Sequence, residues 1–392
     1  MLDRKGMSEA GSKEMGSLIG LFGLAPVLGS SDRYAAKTAG DEIDRQLHAM
    51  SGRDIVHLSA AARASFRQTL GTGSRDRRTQ FAQAIEQVAP NARGAVAGLL
   101  SLHRDGYLRE PATEEVAKNP DPLGTAFLLL RVDDIVPSTR ETAIAGLEGR
   151  LGPRFVRSFA RALPIVEMLR ERKRGGGSTI VRRIHELLRS NDAECRAALL
   201  EATADSDSIT RRAAYRIRLE VGPAHPVLLE ALGDRDGRVR WWAARTAASR
   251  ATSDAEKLEL VSHLEASGSP SIRRLALRMR AKLDISDTPL EKATLDHNAA
   301  VRLTARELLR KRHPDRETGT TRAAAISVLH SIDATTRELV GALGALADLG
   351  ARQDGVEVET FLEHPRRQVR DEAARTVSIL SGNQGGRARL GR

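Results

Sequence analysis

The sequence has few of the residues that build sheets or cross-link small folds. Only 3% of its 392 residues are aromatic, and Cys195 is its single cysteine. One cysteine excludes a disulfide framework and a cysteine-rich metal site. Strand-like alternation of apolar and polar residues is rare, whereas helix-favouring Ala, Leu and Arg dominate the chain. The composition therefore predicts an all-α fold, with Cys195 as a small core residue.

Long apolar runs are missing as well. The apolar segment from 15 to 29 is shorter than the roughly 20 residues that cross a bilayer. Glu14 precedes this segment, where a signal peptide would carry positive charge. We therefore expect no membrane span and a cytoplasmic protein, and a signal peptide that ends near Gly29 is the alternative.

The sequence also lacks the motifs of catalysis and cofactor binding. Its ten histidines are scattered, and it contains no His-Glu-x-x-His, no Gly-x-Ser-x-Gly, no Walker loop and no dinucleotide-binding fingerprint. This pattern predicts no catalytic residues, no metal, no cofactor and no small-molecule substrate. We therefore expect a protein that is not an enzyme.

A five-residue motif recurs along the chain: an apolar residue, Arg, two variable residues and Ala. Complete copies occupy 239–243, 272–276, 301–305 and 369–373. Looser copies begin at Leu108, Thr139, Val181, Ile209 and Thr336, so that successive copies start 28 to 42 residues apart. In the copy that begins at Ile209, Thr210 stands in place of the arginine. A period near 30 residues is typical of stacked helix pairs.

Apolar residues follow the first residue of the motif at helical spacing. From Val301 they fall at Thr304, Ala305, Leu308 and Leu309, on one face of a helix. We expect this face to be buried in the second helix of each pair. The small fifth residue of the motif lets two helices approach closely.

An acidic residue stands six positions before the motif arginine in three copies. We expect each Asp to accept hydrogen bonds from the amides that open the next helix, and to pair with the arginine of its own or an adjacent helix pair. With the arginine of the last copy, these residues form a predicted structural ladder: Asp134, Arg140, Asp234, Arg240, Asp296, Arg302 and Arg370.

At Pro226, Asp234, Val239 and Arg240 the sequence resembles the HEAT-repeat family, including its HEAT-like and PBS-lyase-type helical repeats. In that family a proline in the first helix, an Asp in the turn, and Val with Arg or Lys at the start of the second helix recur. The resemblance covers about three quarters of the chain. It implies a right-handed α-solenoid of about nine to ten helix pairs, whose second helices line a concave surface that binds another macromolecule.

The repeats also divide the chain. We expect residues 1–50, which do not match the motif, to form a partly ordered leader or cap, and residues 51–382 to form the HEAT-like array. The Gly- and Arg-rich residues 383–392 are expected to be a disordered basic tail.

The third and seventh positions of the motif lie off the core face and predict the residues that meet a partner. Trp241 is the most informative of them, because Trp242 takes the core position and leaves its neighbour about 100° around the helix. Leu303 and Glu307 hold the same positions in another copy. The predicted partner-binding residues are Arg211, Tyr215, Trp241, Arg245, Arg274, Arg278 and Arg375.

Two functions fit these features. The HEAT resemblance implies a non-enzymatic scaffold or adaptor that binds a protein on its concave face. The net charge of +11 also permits nucleic-acid binding. HEAT-like alkylpurine DNA glycosylases use Trp, Asp and Arg on such a face. Because Asp234 is expected in a turn and not on that face, glycosylase activity is less favoured than nucleic-acid binding alone.

Overall fold

This computed structural model describes residues 20–65, 77–170, 177–190, 192–283, 286–314, 319–350 and 352–382. The described residues form α-helices joined by turns and short 3₁₀ helices, without a strand, and the predicted all-α class is confirmed. The first 19 residues of the predicted leader and the predicted tail at 383–392 lie outside the described residues. None of the described helices is long and apolar enough to cross a membrane.

The chain divides into two compact units, Met1–Ala231 and Leu232–Arg392. The helices of the first unit are α1 (Arg33–Ala49), α2 (Gly52–Ser65), α3 (Arg77–Gln87), α4 (Arg93–Leu100), α5 (Gly106–Lys118), α6 (Gly124–Arg131), α7 (Pro137–Glu148), α8 (Val156–Arg161), α9 (Leu163–Arg170), α10 (Gly177–Leu188), α11 (Ala193–Thr203), α12 (Ser208–Val221) and α13 (Ala224–Leu232), which ends at the boundary.

The helices of the second unit are α14 (Gly237–Arg250), α15 (Asp254–Glu265), α16 (Pro270–Lys282), α17 (Thr288–Ala293), α18 (Ala299–Arg312), α19 (Gly319–Leu329), α20 (Thr336–Leu349), α21 (Gly355–Glu359) and α22 (Arg367–Leu380).

Within each unit, helices pair in chain order and the pairs stack. In the first unit α4 packs against α5, α6 against α7 and α11 against α12, and the second helices α5 and α7 lie side by side. In the second unit the pairs are α15 with α16, α17 with α18, and α19 with α20. Along these pairs α16 contacts both α14 and α18, and α20 contacts both α18 and α22. This is the architecture of an α-solenoid, the predicted fold class.

The predicted core face of the second helices is confirmed. On α18 the side chains of Val301, Thr304, Ala305 and Leu309 are buried, and Leu308 is half-buried. The Ala that closes the motif is fully buried on α14, α16, α18 and α22. The helical spacing of apolar residues thus places the core of these helices correctly, because one face of each meets neighbouring helices.

The two N-terminal helices pack in ways that the repeat period did not predict. Helix α1 lies against α4, whereas α2 packs against α6 and α9, which follow much later in the chain. A Cβ atom on Gly52, the first residue of α2, would overlap the carbonyl oxygen of Arg161. Only glycine therefore allows α2 to begin this close to the end of α8.

Helix α20 is buried on nearly all sides from Leu339 to Ala347. A Cβ atom on Gly341 would overlap the carbonyl oxygen of Leu295, and one on Gly344 would overlap the guanidinium of Arg302. These two glycines let α20 pack directly against the preceding repeat.

We predict that Gly341→Ala lowers the free energy of unfolding by about 2 kcal/mol, because the added methyl group meets a backbone carbonyl that has little room to move. Urea titration followed by circular dichroism measures this change. Gly355→Ala is the control, since a Cβ atom on Gly355 meets nothing within 4 Å. Equal stabilities for the two variants would contradict the close approach of α20.

Candidate functional site: the arginine ladder and the exposed face of the second helices

The motif arginine folds back onto the turn that precedes its own helix. In seven repeats its Nη1 donates a hydrogen bond to the carbonyl oxygen six residues earlier, at 2.7–3.2 Å. The seven arginines are Arg109, Arg140, Arg211, Arg240, Arg273, Arg302 and Arg370. A guanidinium supplies several donors in a fixed plane, so one side chain satisfies carbonyls that the turn leaves without a helical partner.

The carboxylate of the turn binds the arginine of the preceding pair. Arg109 on α5 makes a bidentate contact with Asp134 in the turn before α7, at 2.9 and 3.0 Å. Arg273 on α16 makes the same contact with Asp296 before α18, at 2.8 Å for both bonds. Both alternatives left open by the sequence therefore hold for Asp134 and Asp296: the backbone carbonyl accepts from the arginine of the same pair, and the carboxylate accepts from the arginine of the preceding pair.

The same carboxylates also shape the turn. One oxygen of each accepts a hydrogen bond from the backbone N–H two residues later, at 2.7–2.9 Å, in the pairs Asp134–Val136, Asp234–Asp236 and Asp296–Asn298. Each of these later residues is the N-cap of the following helix. The ladder aspartate thus positions the cap residue rather than the first helical turn itself.

Asp134 is the most heavily paired of these groups. Its carboxylate also accepts from Arg131 at 3.0 Å, and its side chain is nearly inaccessible to solvent. Burial raises the pKa of Asp134, but the hydrogen bonds from Arg109 and Val136 and the two arginine charges hold it below its usual value. Asp134 is therefore ionised at neutral pH and links two helix pairs.

Two predicted partner-binding residues are wrong. Arg211 is 3% exposed and Tyr215 is 4% exposed, and the Arg211 guanidinium donates to the carbonyl oxygens of Asp205 and Ser206, both at 2.9 Å. The motif in this repeat begins at Thr210, not at Ile209. Arg211 is thus the motif arginine, and the interpretation that Thr210 replaces it was one residue out of register.

Arg302 has a different carboxylate partner from that of Arg109 and Arg273. Its side chain is 1% exposed, and its Nε donates to Asp348 near the end of α20 at 2.8 Å. Arg306 approaches the same carboxylate at 3.1 Å. Asp348 lies 46 residues beyond Arg302, on a helix and not in a turn, so the turn pattern of the sequence contained no signal for it.

The other predicted partner-binding residues of the second unit lie on neighbouring second helices. Trp241 and Arg245 are exposed on α14, Arg278 is exposed on α16, and Leu303 and Glu307 are exposed on α18. Trp241 keeps 36% of its surface accessible and Leu303 keeps 51%. Because α16 contacts both α14 and α18, we call these five residues together with Arg274 the second-helix surface.

Arg274 and Arg375 make contacts within the chain. Arg274 is half-buried, and its Nε donates to Thr304 Oγ1 on α18 at 3.0 Å. Arg375 is exposed on α22 and pairs with Glu372 at 2.5 Å. In contrast, Arg245 and Arg278 have no ion pair or side-chain hydrogen bond among the described residues. These two arginines are therefore the cations of the surface with the most freedom to meet a partner.

A histidine–aspartate group in the first unit was missed by sequence analysis. Asp44 and His48 on α1 and Asp121 before α6 each offer one ligand atom, and these atoms lie within 4.8 Å of one another, a geometry that could hold a metal ion. Burial lowers the pKa of His48, but its bond to the Asp44 carbonyl and the charges of Asp121 and Asp44 raise it above its usual value. The i, i+4 spacing of Asp44 and His48 was a visible signal, whereas Asp121 is remote in sequence.

Two clefts accompany the ladder. One, of about 830 Å³ in the first unit, is lined by His103, Arg104 and the ladder residues Arg109 and Asp134. The other, of about 600 Å³ in the second unit, lies beside Arg273 and Asp296. Neither was predicted from the sequence, because each is formed by side chains from several helix pairs.

Comparison with known proteins gives little further information. No protein-family model matches the chain, and no curated protein matches it. A solved structure, that of Kap121p, matches 96% of this chain and 46% of its own length, with 13% sequence identity and a TM-score of 0.24. The chain thus spans less than half the length of Kap121p, and neither family nor partner follows from so low a score.

We predict that Asp134→Asn lowers the free energy of unfolding by about 3 kcal/mol, because the buried guanidinium of Arg109 and the half-buried one of Arg131 lose their counter-charge. Asp371→Asn is the control: Asp371 pairs with Arg367 at 3.4 Å on the surface, where ion pairs contribute little. Chemical denaturation of both variants measures the difference. A loss for Asp134→Asn as small as that for the control would show that the ladder is not important for stability.

The burial of His103 predicts that the free energy of unfolding depends on pH. Burial, together with Arg104, Arg77 and Arg109, outweighs the charge of Asp105 and lowers the pKa of His103 to about 4. Since the unfolded state then binds more protons, this group's stabilisation is complete above pH 6.5 and is lost as the pH falls towards 4, by about 3 kcal/mol. His103→Asn, which keeps an acceptor for the Asp105 N–H, should flatten the curve of unfolding free energy against pH in this range.

The measurement is a series of urea titrations of both proteins between pH 4 and 7. Parallel curves for wild type and His103→Asn would contradict a buried neutral imidazole at this position.

Proposed function

We propose that this chain is a non-enzymatic helical-repeat scaffold that binds a protein partner through its second-helix surface. The observation that carries the proposal is the combination of exposed Trp241 and Leu303 with Arg245 and Arg278 on adjacent helices, two arginines that pair with no other described residue. Trp and Arg are the residues most enriched among those that dominate protein interfaces. The predicted cytoplasmic localisation stays a prediction.

The chemistry of this surface favours a partner that is both acidic and apolar. Arg245 and Arg278 can form charge-assisted hydrogen bonds to carboxylates, and Trp241 and Leu303 offer apolar area beside them. The helices that carry this surface pack together through buried core residues, and the Arg274–Thr304 hydrogen bond joins two of them. Where its helices are joined in this way, the surface binds with little loss of conformational entropy.

Nucleic acid is the second candidate, favoured by the net charge of +11. A phosphate-binding face is expected to carry a continuous row of cations. The exposed carboxylate of Glu307 and the apolar side chain of Leu303 interrupt the arginines on the second-helix surface. These residues support a protein partner over a phosphate backbone.

We predict that the triple variant Trp241→Ala, Arg245→Ala, Arg278→Ala loses its partner while remaining folded, because all three side chains are exposed. Quantitative affinity purification from the native host, with the full chain as bait, compares wild type with this variant. The matched control is Arg250→Ala, Lys311→Ala, which removes two exposed cations elsewhere on α14 and α18. Partners that are lost with the triple variant and retained with the control support the proposal.

A parallel titration with labelled duplex and single-stranded DNA over a salt series tests the second candidate. Binding that falls steeply with salt and is absent in the triple variant would place nucleic acid first. Identical sets of captured proteins for wild type and triple variant would overturn the protein-binding proposal.

A further inference from the structure

The 600 Å³ cleft of the second unit has a specific structural origin. Helix α17 has six residues, whereas the first helices on either side, α15 and α19, have twelve and eleven. The short helix does not fill the space between its neighbours. The cleft is bounded by α15, α16, α17 and α19, with the starts of α18 and α20 at its end.

The floor of the cleft is apolar. Leu277 and Val301 are almost fully buried, and Leu295, Ala293 and Val328 are half-buried around them. The volume lies within the range of pockets that hold small organic molecules, which is roughly 300–1,000 Å³. Such a floor would bind the hydrocarbon part of a ligand.

The carboxylates that line the cleft are already engaged. Asp296 is held by Arg273 through two bonds of 2.8 Å, and Glu265 is held by Arg280 at 2.5 and 2.8 Å. A third carboxylate, on Glu338, accepts from the backbone N–H and hydroxyl of Thr335 at 2.8 and 2.7 Å. None of the three is available as the main counter-charge for a cationic ligand.

Two cations on the same cleft are not engaged in this way. Lys292 and Arg337 line the cleft and are exposed, and neither has an ion pair within 4.0 Å or a side-chain hydrogen bond among the described residues. His297, also at the cleft, is held below its usual pKa by burial and by neighbouring arginines, despite the charge of Asp296, so it is neutral at pH 7. The cleft thus combines apolar walls with two exposed positive charges, and the Lys292 charge lies close enough to Glu338 to help lower the pKa of that carboxyl.

We propose that this cleft is a binding site for a small amphipathic organic anion, with its carboxylate on Lys292 and Arg337 and its hydrocarbon part on the half-buried Ala293, Leu295 and Val328. The site is separate from the second-helix surface, because it is built mainly from first helices and turns. Its occupation does not depend on the proposed protein partner.

Isothermal titration calorimetry with a matched pair of probes, octanoate and 1-octanol, tests the site on the full chain. The two probes share a chain length and differ in charge. We expect octanoate to bind at least tenfold more tightly than octanol, as a factor of ten corresponds to about 1.4 kcal/mol for one charge-assisted contact. The variant Lys292→Gln, Arg337→Gln should reduce this ratio to within about twofold and leave octanol binding unchanged.

Two further variants complete the experiment. Ser262→Trp, at an exposed position of α15 on the cleft, should weaken the binding of both probes by filling the space. The control Arg250→Ala, Lys311→Ala removes two positive charges away from the cleft and should bind octanoate as wild type does. The proposal is overturned if wild type binds neither probe, if it binds both equally, or if octanoate binding is the same in wild type and in the Lys292→Gln, Arg337→Gln variant.

Discussion

The hydrogen bond from the motif arginine to the carbonyl six residues earlier is the contact on which the repeats depend. A helix pair with a tight turn leaves carbonyl groups without helical partners, and these groups cannot be buried without a cost in free energy. In seven repeats an arginine at one fixed position meets this need. Its remaining donors can then reach the next pair, as Arg109 and Arg273 do. The same residue thus closes one repeat and joins it to another.

Much of this organisation could be read from the sequence, because it is local. The core residues Val301, Ala305 and Leu309 follow from helical spacing, since one face of a repeated helix always meets its neighbours. The turn aspartates could also be expected, as Asp134 and its arginine stand at a fixed distance in the chain. The misplaced motif at Ile209 shows the limit: Ile209 is apolar and Thr210 polar, and only their burial in the structure shows that the motif begins at Thr210.

The remaining features depend on pairs of residues that are distant in sequence. Arg302 contacts Asp348 because Gly341 and Gly344 let α20 approach. Nothing in the sequence around these glycines indicates which residues they pack against. Arg150 is buried at the end of α7, where it donates to the carbonyl oxygens of Val116 and Asn119 at 2.8 and 2.7 Å, without belonging to any copy of the motif. The cleft beside α17 results from a helix that is too short for its place. Such features are set by the way that whole pairs stack and not by a local pattern.

The ladder is also uneven, and this has a mechanical consequence. Between α16 and α18, the Arg273–Asp296 contact joins neighbouring pairs through two short bonds. Between α14 and α16, the position that would hold the corresponding carboxylate is occupied by Ser267, and Arg240 bonds only to carbonyl groups of its own turn among the described residues. When the second unit bends, the α16–α18 contact is therefore expected to resist more than the α14–α16 contact. Elastic deformation is therefore expected to be greatest at the α14–α16 contact, and Trp241 of the proposed partner-binding surface lies on α14.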